Sequence, residues 1–279
     1  MQIGKRARRE RRALFWYYDV MNTHEFVKEQ ACTVGKFIHE EREKGFSISE
    51  KDGNFRDIVT SIDECANNML LEAIRNAFPE DAIYSEEGGN SAKSTRQWVL
   101  DPIDGTSNFS RGIPHYAVSI GLVEGQVPIV GAVYNPNTGE LFSFEKGKGA
   151  FLNDTPIHVS VLADFSRAQV VIGFGSRKPE LWDWAAVSYR KLIEHTWKRS
   201  MLGSSALDIC YIACGRADVG VYGTLTTLDI AAAIGILYEA GGVIENSQGD
   251  TISLSSEPQK AYLGNGKGLV NNIRTLLET

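Results

Sequence analysis

The chain has 279 residues, 43% hydrophobic and 23% charged, with a net charge of −6. That is room for a sizeable core in one large domain or two modest ones, and the acidic balance argues against a nucleic-acid partner. No apolar run approaches the roughly 20 residues needed to span a bilayer.

The charge is uneven. Residues 1–20 hold Lys5, Arg6, Arg8, Arg9, Arg11 and Arg12 against Glu10 and Asp19, a net of +4, so the rest carries −10. The start reads as a basic, disordered tail, with Met21 opening a single folded unit over 21–279. Its apolar stretch is too short for a secretory signal, and the expected setting is cytoplasmic. From Asn22 to Glu43 apolar residues recur at helical spacing. "SEKDGNFRD" is turn-rich and reads as a loop. A second helix is predicted from Ser61 to Ala77, stopped by Pro79. "AIYSEEGG" is a short strand ending at Glu86-Glu87. Trp98–Leu100 is another, ending in "DPIDGT". Beyond it, hairpin-like strands run through "YAVSIGLVEG", "VPIVGAVYNPNTGELFSFEKGKGAFLN" and "HVSV".

In the second half, strands and helices alternate. "QVVIGFGS", "ADVGVYG" and "GVIEN" read as strands. "LWDWAAVSYRKLIE", "SALDICYIACG" and "TLDIAAAIGILYEAGG" read as helices, the last two closed by glycine. Layered α and β elements follow, with a soft internal boundary near Leu152–Ser160 that separates an α+β part (21–155) from an α/β part (156–279). Of Cys32, Cys65, Cys210 and Cys214, the last two are spaced i, i+4 on a predicted helix but have no His or Cys partner near in sequence, so they read as small buried residues in a reducing cytosol rather than ligands, and the five histidines show no zinc spacing.

The segment "WVLDPIDGTSNF" carries the chemistry. Pro102 fixes its own φ and Gly105 relaxes the steric limits of the bend, so Asp101 and Asp104 can converge. Converging carboxylates repel unless a cation lies between them or one is protonated. Oxygen ligands of this kind, with the Ile103 carbonyl and the Thr106 hydroxyl beside them, favour a hard ion such as Mg²⁺. The motif by itself fits equally an Asx turn that caps the next element. The aspartyl-phosphate motif of haloacid-dehalogenase-type phosphatases fits less well, because it has one residue between its aspartates, not two. Glu86-Glu87 add acids at the end of a neighbouring strand. Asp229 precedes an apolar helix, where capping is its bland role.

In combination these segments resemble the inositol monophosphatase family of metal-dependent, lithium-sensitive sugar and inositol phosphatases. "RDIVTSIDE", "SEEGG", "WVLDPIDGTSNF", "GKGAFLN" and "LDIAAAIGILYEAGGVI" carry the likeness from about Val27 onward. The resemblance implies a layered α-β-α-β-α sandwich and a Mg²⁺-dependent phosphomonoesterase for a small polyol or sugar phosphate. It further implies Glu87, Asp101 and the Ile103 carbonyl at one Mg²⁺, and Asp101, Asp104 and Asp229 at a second, with Glu86 close by. Thr106, hydrogen-bonded to Asp63, would orient and deprotonate the attacking water, with Glu87 also in a catalytic role. Asp104, Gly105, Thr106, Gly203, Ser204, Ser205 and Tyr222 would meet the substrate. A homodimer is also implied.

Three departures stand out. Tyr222 replaces the glutamate that contacts ring hydroxyls in inositol-specific members. Leu228 stands where tryptophan usually precedes the last metal-binding aspartate. The loop lysine is one residue out of register, at Lys51, with Asp52 in its expected place. Inositol preference therefore stays open against fructose bisphosphate, histidinol phosphate or phosphoadenosine substrates. Ser176 is a further candidate ring contact.

Overall fold

The computed structural model describes residues 23–51, 53–88, 94–174, 179–226 and 230–279, excluding the side chains of residues 55 and 56. The basic start, Asp52, Ser176, Leu228 and Asp229 therefore lie outside the described residues.

The first amphipathic helix, α1, runs over 23–42. A hairpin follows, β1 (Ile48–Lys51) and β2 (Asn54–Thr60), paired antiparallel where the sequence reads as a loop. Its first strand is almost wholly exposed, so it has no apolar alternation by which to recognise it. Helix α2 (Ser61–Ala77) has the predicted limits. Thr60 accepts from the amides of Ile62 and Asp63, and Asp63 accepts from the Thr60 amide, a reciprocal capping box.

A seven-stranded sheet follows in the order β3-β4-β5-β6-β7-β8-β9. Its strands are β3 (Ala82–Ser85), β4 (Arg96–Asp104), β5 (Ala117–Glu124), β6 (Val127–Asn135), β7 (Glu140–Glu145), β8 (Gly149–Leu152) and β9 (Thr155–Ile157). Only β3 and β4 pair in parallel; the other neighbours are antiparallel hairpins. The short helix α3 (Thr106–Arg111) sits between β4 and β5. The segment "HVSV" is not a strand. The last strand of the sheet lies just before it, and Val161 is wholly exposed. The Val159 amide instead donates to Ala240 O at 3.1 Å, tying the crossover to the middle of the molecule.

The second sheet has five strands in the order β11-β10-β12-β14-β13. They are β10 (Gln169–Gly173), β11 (Lys198–Ser200), β12 (Val219–Leu225), β13 (Val243–Glu245) and β14 (Gln259–Gly264). Around them lie α4 (Trp182–His195), α5 (Ser205–Ala213), α6 (Ala231–Glu239) and α7 (Lys267–Glu278). β11, β14 and α7 are additions to what the sequence reading names.

Three apolar clusters define five layers. Val27, Val34, Leu70 and Ile74 of α1 and α2 pack on Trp98, Leu100 and Ile120 of the first sheet. That sheet's other face presents Val99, Val133 and Phe144 to α5 and α6, which also touch Val171, Ile244 and Leu263 of the second sheet. Leu192 of α4 and Val270, Ile273 and Leu277 of α7 close the far side. The order helix, sheet, helix, sheet, helix matches the expected sandwich. Helix α6 is buried all round from Ala231 to Leu237, as an element between two sheets must be. It approaches closely enough that a Cβ on Gly235 would lie 2.0 Å from the Phe144 ring.

Candidate active site

The parallel pairing of β3 and β4 places Ser85 beside Leu100, so Glu86-Glu87 and Asp101 leave the sheet at the same edge. The Glu86 amide donates to Leu100 O at 3.1 Å and extends that pairing by one step. Buried Asn67 of α2 fixes the turn that follows. Its Oδ1 accepts from Ser85 Oγ at 2.7 Å, and its Nδ2 donates to Gly88 O at 3.2 Å. Asn67 is absent from the sequence reading. Its one signal is a polar side chain one turn after Asp63 on the buried face of an amphipathic helix.

Strand β4 loses its regular register between Asp101 and Asp104, where Pro102 has no amide to give the ladder. Asp101 Oδ1 accepts from the Ile103 amide at 3.1 Å, which is the Asx turn of the bland reading. The turn leaves the Ile103 carbonyl pointing inward to accept from Thr106 Oγ1 at 3.0 Å. Thr106 Oγ1 also lies 3.3 Å from Asp63 Oδ1. A hydroxyl has one proton and two lone pairs. When that proton goes to Asp63 or Ile103, the Thr106 oxygen is left able to accept one from a neighbour. Asp63 is fully buried, and burial raises its pKa against the hydrogen bonds from Thr60 and Thr106.

Asp104 meets the second half of the chain. Its Oδ2 accepts from the Ser204 hydroxyl and, at 2.9 Å, from the Ala206 amide at the start of α5. Burial pushes its pKa up to about 6, opposed by those two donors and reinforced by Asp208 and Glu86. Gly105 has φ +97°, and a Cβ there would lie 3.1 Å from both Gly203 O and His115 O and 3.3 Å from Ser204 Cβ. The predicted substrate residues Gly105, Gly203 and Ser204 are therefore in contact, with Ser205 opening the helix beside them. Asn108, also missed, joins them through hydrogen bonds from Nδ2 to His115 O at 2.8 Å and Leu202 O at 2.7 Å.

Tyr222 is placed differently from its neighbours. It is buried beneath the cleft, its ring against Gly173 and Gly220. Among the described residues its hydroxyl makes no well-aligned hydrogen bond, though it faces the Asp208 carboxylate; burial, followed by the charge of Asp208 and Asp104, raises its pKa strongly. Asp208 is also met by His115 Nε2 at 3.3 Å.

Lys51 supplies the positive charge. Its Nζ lies 2.8 Å from Glu87 Oε1 and 3.1 Å from Glu86 Oε1. Burial pulls its pKa down, but the two carboxylates outweigh that and hold it well above the ordinary value. Burial raises the Glu87 pKa, against the pull of the same ammonium. The one-residue register difference thus does not keep the lysine from the acidic turn. Among the described residues no three His, Cys, Asp or Glu side chains form a ready-made metal cluster. Asp229 lies outside the described residues, immediately before Ile230, the N-cap of α6.

The family model described as "Inositol monophosphatase family" matches residues 19–279. The chain belongs to the inositol monophosphatase family. Like the family, it is a phosphoric monoester hydrolase. It is 35% identical over 193 residues to a "Nus factor SuhB" of Xylella fastidiosa, covering 69% of this chain and 70% of that one. It is 38% identical over 200 residues to a "Fructose-1,6-bisphosphatase/inositol-1-monophosphatase" of Thermotoga maritima, covering 72% and 75%. Among solved structures, a Thermotoga maritima IMPase superposes with a TM-score of 0.83 at 30% identity, covering 92% of this chain and 97% of that one. The inositol monophosphatase fold accounts for the five layers and for a site set where strand ends meet helix starts.

Proposed function

We propose that this phosphatase is Mg²⁺-dependent and acts on a small polyol or sugar phosphate, with inositol monophosphate the first candidate. One observation carries the reading. A single sheet edge gathers Glu86-Glu87, the Asp101–Asp104 turn and the Asp63–Thr106 pair, although they come from three separate segments.

The donors fit a hard divalent ion. All are oxygens, and burial disfavours the negative charge of Glu87 and Asp104, a cost that a bound cation offsets and that the Lys51 ammonium already offsets in part at Glu87. Glu87, Asp101, the Ile103 carbonyl, Asp104 and Asp229 would hold two such ions. When bound, these supply charge neutralisation for the phosphate and an acidified water. The chain's own groups do the rest. Thr106 accepts a hydrogen bond from the water while donating its own to Asp63, and so aims the water at phosphorus; as the water's proton passes to the Thr106 oxygen, the Thr106 proton passes to the Asp63 carboxylate. The amides of Gly105 and Thr106 donate to phosphate oxygens. Ser204 and the Ala206 amide fix the Asp104 carboxylate, leaving its other oxygen for a metal ion or a substrate hydroxyl.

The test is phosphate release from a panel of esters, with and without Mg²⁺ and a chelator. Activity is expected on inositol 1-phosphate, to vanish with chelation and to fall with lithium or calcium. Asp101→Asn is expected to remove it while the protein stays folded. Normal turnover by Asp101→Asn overturns the site assignment.

The name of the Thermotoga relative supports fructose 1,6-bisphosphate as an alternative substrate, and Tyr222 leaves that choice open. Histidinol phosphate and phosphoadenosine phosphate complete the panel. The SuhB relatives support a second, regulatory role beside catalysis. A protein inert toward the whole panel favours that role alone.

A further inference from the structure

Ser119 is buried with its hydroxyl unused. It lies in β5, is 1% exposed, and its Oγ makes no hydrogen bond among the described residues. Burying a hydroxyl without a partner is a net cost. Packing does not demand it. Gly121, two residues along on the same face of β5, is so close to α6 that a Cβ there would lie 3.0 Å from the Ala232 amide nitrogen. On β6 a Cβ at Gly131, the cross-strand partner of Gly121, would lie 3.0 Å from Ala232 Cβ. Ala117, two residues the other way, belongs to the apolar cluster of the same layer. Small residues without polar groups therefore line this face beneath α6, and alanine would fill the place of Ser119 except for the hydroxyl.

The position of Ser119 in the ladder gives the hydroxyl a use. It stands directly opposite Asp101, in the last regular β4–β5 pair before the register shifts toward Asp104. Opposed residues share a face of the sheet, with Cβ atoms about 4.5–5.5 Å apart. Rotation about χ1 is then enough to bring a serine hydroxyl to a carboxylate across the ladder. The shared face is the one turned to α6, whose start at Ile230 follows Asp229 in the chain. Asp101 Oδ1 already accepts from the Ile103 amide at 3.1 Å. A carboxylate has about four lone-pair sites, so it can ligate metal and still accept a second hydrogen bond. Donors of this kind hold a ligating carboxylate in its orientation.

We propose that Ser119 is a positioning residue for the metal-bound enzyme: its hydroxyl turns to Asp101 and donates to the carboxylate, which the Ile103 amide grips from the other side. The inference rests on the reading of this site as a Mg²⁺ site. In chelator the orphaned hydroxyl is a cost to stability, whereas with Mg²⁺ bound it secures a ligand. Removing it should therefore move stability and metal affinity in opposite directions, which a purely structural serine would not do.

Calorimetric titration of Mg²⁺ into the metal-stripped full chain tests this, together with melting temperatures in chelator. The proteins are wild type, Ser119→Ala and, as a control, Ser188→Ala, which removes another buried hydroxyl without a hydrogen bond, from α4 in the outer layer. Ser119→Ala is expected to bind Mg²⁺ about tenfold more weakly and to need correspondingly more Mg²⁺ for half-maximal phosphate release. In chelator it is expected to melt no lower than wild type. Ser188→Ala is expected to keep the wild-type Mg²⁺ affinity. Unchanged affinity in Ser119→Ala, equal weakening in Ser188→Ala, or a lower melting temperature of Ser119→Ala in chelator overturns the proposal and leaves the functional reading standing. A wild type that binds no Mg²⁺ overturns that reading, and this inference with it.

Discussion

Asn108 donates from its side-chain amide to the main-chain carbonyl of Leu202, 94 residues further along the chain, at 2.7 Å. The same nitrogen donates to His115 O at 2.8 Å, so one side chain fastens α3, the loop after it and the approach to α5. Gly203 leaves the space this needs. A Cβ there would lie 2.9 Å from Asn108 Nδ2, on a backbone with φ +89°.

Asn108→Ala strips the donor from two carbonyls at once. Each orphaned group costs about 1–3 kcal/mol if no water replaces the amide. A loss of about 2–6 kcal/mol in denaturant unfolding is expected, with KM raised and kcat lowered because Gly105 and Ser204 lose their mutual alignment. Unchanged kinetics in a destabilised protein would confine Asn108 to a structural role.

Asp104 makes the stability of the chelated protein depend on pH. Its pKa is raised from 3.8 to about 6, so the folded state binds its proton more tightly than the unfolded one between those values. Stability is therefore expected to fall as pH rises through that window. Asp104→Asn should flatten this part of the profile. Melting temperatures of both proteins from pH 4 to 7 in chelator check the sign; a parallel pair of curves removes Asp104 as the cause.

Tyr222→Phe deletes a buried hydroxyl that faces Asp208 but makes no well-aligned hydrogen bond among the described residues. Such a deletion is expected to leave stability within about 1 kcal/mol or to raise it. The kinetics then show whether that hydroxyl reaches substrate. A rise in KM at constant kcat marks a substrate contact made on binding, and no change leaves Tyr222 as packing beneath the cleft.

His115→Ala removes the imidazole donor from buried Asp208. Losing a hydrogen-bond donor to a buried carboxylate costs about 1–3 kcal/mol. His115→Gln keeps a donor and is expected to recover part of that loss. Thermal unfolding of both variants is the measurement; equal destabilisation would show that ring packing against Tyr211, not the carboxylate contact, is what matters.

Helix α2 is legible to the residue because its signals are local: a threonine cap, an acid three positions later, and a proline just past the end. The pairing of Glu86-Glu87 with Asp101 is legible for a related reason, since two short apolar runs that end in acids can lie side by side in only a few registers. The β1–β2 hairpin, β11, β14 and α7 are not named, and for the hairpin the cause is an exposed first strand without apolar alternation.

What the sequence determined by itself is the donor chemistry, the stiff turn that presents it, and the family, because proline, glycine and closely spaced carboxylates act over a few residues. The tertiary structure alone decided that Lys51 neutralises Glu86 and Glu87, that Asn67 and Asn108 hold the turns, and that Tyr222 is buried with its ring against Gly173 and Gly220. Each of those contacts joins groups roughly 20 to 100 residues apart or depends on layers closing over one another. Nothing in a local pattern of side chains specifies which distant carbonyl or carboxylate a buried donor will meet.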